Sequence, residues 1–322
     1  MQSAAFIPRF TIPTPYLRQM AAALTVFVLV GVASAQTLYW DINGKTAGAG
    51  GPTPSGTWNT SNSNKVWTTD STGSSNTTAW TSGDAAVFSA GTDATGAFTV
   101  TVSGTQSAAS ITVNNGSPTL ATGVVNFSGT TPSVLVTSGS ALTFGSALTS
   151  ANNNLSIGSA TYTGTTVFSA NTSLSGTVTL AGGTLKLGGT SATFGTLNVT
   201  GNSIIDFSGT TTLNLTNLTI SAGVTLTIQG WVAASDHFYT TNWAGATKDL
   251  YNNGNTAPMN QVVFTGFTAS QTGWDSYDNQ IRPNVPEPRM YGAVLLGAMT
   301  GLFAWRRLVR RPARGPHVSP GL

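Results

Sequence analysis

The sequence predicts an all-β protein, a parallel β-solenoid (β-helix) with aromatic end caps, carrying an N-terminal signal peptide and one C-terminal transmembrane helix. Three observations lead there. Short segments alternating apolar and hydroxyl-bearing residues recur behind glycines, and none of them has the periodicity of a helix. Only 7% of the 322 residues are charged, where an ordinary soluble domain carries roughly 25%. The hydrophobic share of 40% nevertheless suffices for a packed core. With no Cys in the chain, disulfide frameworks and thiolate metal sites are excluded.

The formal charge of +3 is unevenly placed. Arg9 and Arg18 stand near one end, and Arg289, Arg306, Arg307, Arg310, Arg311 and Arg314 near the other. Residues 36–284 retain five cations against nine aspartates, a net of −4. A body of that sign has no basic stripe for a phosphate backbone, so no nucleic-acid partner is expected.

Residues 1–35 have the order of a secretory signal. Arg9 and Arg18 precede an apolar run over residues 20–32, which leads into Ala33-Ser34-Ala35. A small-x-small triplet at that place predicts cleavage between Ala35 and Gln36. The competing reading, a retained membrane span, needs roughly 17 apolar residues, more than the run holds. The mature chain is thus expected outside the cytoplasm.

Residues 36–96 read as an N-terminal cap. Trp40, Trp58, Trp67 and Trp80 precede the repeats, Trp231, Trp243 and Trp274 follow them, and none lies between. An uncovered end rung recruits foreign strands, and large aromatic side chains can close it. Asp41-Ile42-Asn43-Gly44 has the opening of a calcium loop, but Pro52 stands where the closing carboxylate belongs, which leaves turn chemistry. Gly48, Gly50, Gly51 and Gly56 lack the Lys-Ser/Thr that completes a phosphate loop.

Residues 97–230 are the repeats. In Gly183-Thr-Leu-Lys-Leu187 and Gly223-Val-Thr-Leu-Thr-Ile228, period-two alternation puts Leu185 and Leu187, or Leu226 and Ile228, on one face. Strands this short bury too little surface alone and must stack on one another. A parallel solenoid does so. Because the spacing follows no strict period, a β-sandwich is the competing arrangement. Lys186 and Asp206 are the only charges from 97 to 230. Two cannot furnish the paired carboxylates of a glycosidase or the calcium ligands of a lyase, and the expectation is a protein that is not an enzyme.

Residues 231–284 supply Phe238, Tyr239, Val262, Val263, Phe264 and Phe267 for a second cap. Trp243 and Trp274 are candidate glycan contacts, since indole rings stack on sugars. The competing enzymatic or lectin-like reading would use Asp236, His237, Asp275 and Asp278. His237 stands alone, as structural histidines do, and no Gly-x-Ser-x-Gly elbow occurs. No cofactor or metal is expected.

At residues 285–311 the chain runs Val285, Pro286, Glu287 and Pro288, then an apolar segment at 291–305, then Arg306, Arg307, Arg310 and Arg311. The prolines make an extended joint. The arginines stop a membrane helix and hold its end, with residues 312–322, in the cytoplasm. A core helix of a globular domain would leave the one-sided basic cluster unexplained.

This tail resembles the PEP-CTERM sorting signal of Gram-negative bacteria. The resemblance implies recognition of Val285, Pro286, Glu287 and Pro288 by an exosortase, a membrane cysteine-type transpeptidase that would pass the body to another carrier. Residues 312–322 depart from the family, whose members usually stop close to the arginines. Residues 176–188 resemble the autotransporter-associated β-strand repeat, although no translocating barrel follows. Together these features imply an exported, envelope-anchored structural or interaction protein at the cell surface or in the extracellular matrix. Its partners would be the exosortase-type enzyme, the inner membrane and exopolysaccharide.

Overall fold

A computed structural model describes residues 35–248, 256–283 and 305. Over residues 37–248 and 256–264 the chain winds as a parallel β-solenoid. Two long sheets, of ten and nine strands, form two of its faces. A third face begins as the sheet of Thr105–Ala108, Val124–Phe127 and Ala147–Ser150. It continues in the first halves of Thr172–Leu180, Ser191–Val199, Thr212–Ile220 and His237–Trp243, whose second halves join the ten-stranded sheet. The register slips between Leu174 and Thr177, where such a strand turns the corner. Rung pairs with rung in parallel, which excludes the sandwich. Among the described residues, antiparallel strand pairs occur where Trp67–Thr68 meets Thr37–Trp40 and in the hairpin of Thr272–Trp274 with Ile281–Pro283, beside two isolated bridges, Trp67 to Thr78 and Tyr239 to Gln280.

Alternation sets what points inward. Ala97–Val102 buries every second residue, and most other rung strands follow the same rule. Stacking turns these positions into ladders along the axis. Ile111, Val134, Ile157, Leu180 and Val199 are in register. Phe127, Phe144, Phe168 and Phe194 meet edge-on, with successive centroids 6.4, 5.9 and 6.5 Å apart. The first four members of the aliphatic ladder fall 23 residues apart and the next 19, because corners shorten or lengthen without disturbing the ladder. That variation hides the period from a linear reading.

The corners explain the Thr and Asn content. The hydroxyls of Thr122, Thr137, Thr200 and Thr211 each donate to a backbone carbonyl of the preceding rung, 20 to 24 residues back. Asn154, Asn171 and Asn202 do the reverse. Their Oδ1 atoms accept the N–H groups of Thr177, Ser191 and Thr225 in the next rung, at 2.7, 2.9 and 2.9 Å. The asparagines thereby supply acceptors to corner N–H groups, while the threonine hydroxyls add a second donor to carbonyls such as those of Val113 and Leu180, which already accept the Thr137 and Thr200 N–H groups. Gly195 is required for space alone: a Cβ there would lie 1.9 Å from the Ser175 carbonyl oxygen.

The coil extends beyond residues 97–230 at both ends. Thr37–Trp40 and Ala85–Phe88 already belong to the ten-stranded sheet, and Val262–Phe264 closes the nine-stranded one. Composition changes there while the winding continues. Trp40, Trp58, Trp67, Trp80 and Phe88 fill the first rungs as one cluster, with Trp67 and Trp80 centroids 4.7 Å apart. At the other end the Thr272–Trp274 hairpin lies against His237–Trp243, through Thr240 N–H donating to the Asn279 carbonyl at 3.0 Å.

Ala35 and Gln36 are exposed. Ala33, the sorting residues Val285, Pro286, Glu287 and Pro288, and Arg306, Arg307, Arg310 and Arg311 lie outside the described residues, as do the apolar run at 20–32 and all of 291–304. Among the described residues no helix is long and apolar enough to cross a membrane.

Candidate functional site

Strand alternation turns Val178, Leu197 and Leu218 inward, so their neighbours line the outer side of the ten-stranded sheet. One row there is Thr177, Thr196, Asn217 and Asn242, in register. Asn242 Nδ2 donates to Asn217 Oδ1 at 3.3 Å, and Asn217 Nδ2 to Thr196 Oγ1 at 3.4 Å. The parallel row is Ser110, Ser133, Ser156, Thr179, Asn198 and Thr219. Thr219 donates to Asn198 Oδ1 at 2.8 Å. A shallow cleft of about 500 Å³ runs over these rows, with Trp243 and Trp274 at its C-terminal end.

The fold brings those two tryptophans together, 6.1 Å apart at 62°. They are 3% and 4% exposed, so neither presents an open ring face, and Trp243 follows its register partner Leu218 into the core. Trp274 Nε1 donates to the Thr240 carbonyl at 3.1 Å, and Lys248 Nζ sits 4.8 Å from the centre of its ring. The Trp243 indole N–H is buried without a partner.

The polar residues of the enzymatic reading also converge, as fasteners of the C-terminal end. Asp236 is fully buried, and its carboxylate accepts the N–H groups of Thr211 at 3.1 Å and Val232 at 2.6 Å. His237 stacks on Tyr239 and meets Gln280 Nε2 at 3.2 Å through Nδ1. Gln280 Oε1 accepts from Arg282, which pairs with Asp275 and, at 3.6 Å, with Asp278. Lys186 and Asp206, 3.6 Å apart, lie on the nine-stranded sheet, away from the cleft. Burial alone would raise the Asp206 carboxyl. The Ser208 hydroxyl and N–H, Gln229 and Lys186 outweigh it and hold the carboxyl below its usual value. No group of three or more His, Asp or Glu among the described residues is disposed to hold a metal ion.

Sequence reasoning missed one construction. The glycine-rich run at 48–51, with positive φ at Gly48, Gly50 and Gly51, curls its N–H groups into an anion nest. Asp93 fills it. Its carboxylate accepts the N–H groups of Ala49, Gly50 and Gly51 at 2.7, 3.2 and 2.6 Å. Burial pushes this carboxyl upward, but the three donors outweigh it and hold it below its ordinary value. The only signal was the run of glycines, which looked for a phosphate and found a side chain of its own protein.

Comparison of the chain with protein-family models, curated proteins and solved structures gives no match. The chain is a β-solenoid whose ten-stranded face carries rows of Ser, Thr and Asn along its axis.

Proposed function

We propose that this chain is an exported, envelope-anchored structural or interaction protein, with the PEP-CTERM-like tail as its sorting signal. The observation that carries the reading is the ten-stranded face, where rows of Ser, Thr and Asn run rung after rung without a charge between Ser110 and Asn242. A hydrogen-bonded coil is a stiff spacer, and such a face gives it a surface for partners without drawing counter-ions. In this reading the signal over residues 1–35 exports the body. The apolar segment at 291–305 and its arginines hold it at the inner membrane until an exosortase-type enzyme acts at Val285, Pro286, Glu287 and Pro288.

Fractionation of cells expressing the wild type and Glu287→Ala, probed with an antibody to the body, tests this. The wild type is expected as a shortened form in the outer envelope or medium, and Glu287→Ala as a longer form kept at the inner membrane. Full-length, soluble cytosolic protein would overturn the reading.

A further inference from the structure

We infer that the outer cleft of the ten-stranded sheet is a docking face for a neutral, linear polysaccharide lying along the solenoid axis. The inference rests on the reading of the coil as an exposed interaction module and names the partner of that face. Two clefts are in line. One, of about 230 Å³, is lined by Asn154, Ser156, Thr177 and Thr179. The other, of about 500 Å³, begins at Thr196, the register partner of Thr177, and ends at Trp243 and Trp274. From the Ser156 rung to the Asn242 rung is four steps, roughly 19 Å at the 4.8 Å spacing of paired strands. The track is long and narrow, suited to an extended chain rather than to a compact small molecule.

Its chemistry selects the chain. The track offers hydroxyls and carboxamides, each of which both donates and accepts, and these match sugar hydroxyls without any net charge. The rows themselves carry no charge: Lys186 and Asp206 pair with each other on a different sheet, and the one cation beside the cleft among the described residues, Lys248 near Trp274, donates to Asn279 Oδ1 at 2.6 Å, so the track offers no cluster of cations to a polyuronate or a phosphate backbone. In the rows, Asn242 spends one Nδ2 hydrogen on Asn217 Oδ1, and Asn217 one Nδ2 hydrogen on Thr196, which leaves Asn242 Oδ1 and a second N–H on each carboxamide for a ligand. At the C-terminal end the cleft closes against Ala244, Ala246 and the nearly buried Trp243 and Trp274.

The test is affinity electrophoresis of the full-length chain, purified in detergent, through gels containing a soluble linear β-glucan, a linear mannan or polygalacturonate. Retardation by at least one neutral glycan and none by polygalacturonate is expected. Asn217→Ala with Asn242→Ala should weaken retardation about threefold to tenfold, as loss of one or two hydrogen bonds implies. Thr227→Ala, on the nine-stranded sheet, should leave it unchanged, and circular dichroism should show all variants folded. Retardation by neither neutral glycan, equal or stronger retardation by polygalacturonate, or indifference to the double substitution would overturn the inference. So would sedimentation showing that the double substitution splits a dimer, because the face would then bind a second copy. A surface-exposed protein that binds no glycan removes this inference alone; a cytosolic one removes the reading beneath it.

Discussion

Asp93 Oδ2 accepts the Gly51 N–H at 2.6 Å across 42 residues of chain. With Ala49 and Gly50 this makes a carboxylate the bound ion of a backbone nest, tying the first turn of the coil to the loop before the repeats. Asp93→Ala leaves three inward N–H groups without an acceptor and should destabilise this end by about 2–3 kcal/mol. Because the folded carboxyl lies below its unfolded value, the contribution is complete above the unfolded value and is lost as pH falls through the folded one. Protection factors at Ala49 and Gly51, measured against the intrinsic exchange rate at each pH, should therefore fall in acid in the wild type. In Asp93→Asn, whose amide nitrogen cannot accept, protection within Ala49–Gly51 should be lowered already at neutral pH; equal protection in both proteins would refute the nest's role.

Asp41 points the other way. Burial, reinforced by the carboxylates of Asp93 and Asp70, raises its carboxyl above the ordinary value, against the N–H groups of Asn43 and Gly44 that favour the charge. Its Oδ2 is buried with no partner. A raised acid costs stability at neutral pH and is relieved as pH falls through its folded value. Asp41→Asn keeps the accepting Oδ1 and removes the charge, so its thermal midpoint at pH 7 should rise by about 1–3 °C. The gain should shrink on acidification, and a lower midpoint at pH 7 would contradict the assignment.

Phe168 lies between Phe144 and Phe194, fully buried, in the middle of the aromatic ladder. Phe168→Ala should cost about 3–5 kcal/mol, and Phe168→Leu much less. In a stacked coil each rung touches only its neighbours, so the loss should appear as faster amide exchange in adjoining rungs before the N-terminal tryptophan cluster responds. Uniform loosening of the whole coil would show that stability is not shared rung by rung.

Two glycines separate steric from conformational demand. Gly195→Ala would drive a Cβ against the Ser175 carbonyl, which backbone on both sides holds in place. Gly223 has φ +75° and nothing within 4 Å of a new Cβ, so Gly223→Ala meets only the left-handed penalty, about 1 kcal/mol. In thermal melts Gly195→Ala should fall well below Gly223→Ala; the opposite order would show that the rungs part easily at this corner.

The alternation in residues such as Leu185 and Leu187, the glycines between strands, and the placement of the tryptophans were legible in one dimension, because each depends on neighbours only a few residues away. Period-two patterning decides which side is greasy wherever the strand ends up. The partners of Asn154, Thr211 and Asp93 were not legible, since each lies 23 to 44 residues off and corners of unequal length leave no constant interval to count. Trp243 and Trp274 were found as candidates from their residue type. Only the folded chain brought them together, 6.1 Å apart, and buried both rings at the C-terminal end of the coil. The amino-acid order alone determined an all-β, charge-poor body. Parallel winding, the extent of the coil past residues 97 and 230, and the alignment of Thr177, Thr196, Asn217 and Asn242 in one row were decided in three dimensions, where buried ladders must stay continuous and backbone groups at a corner find partners one rung away.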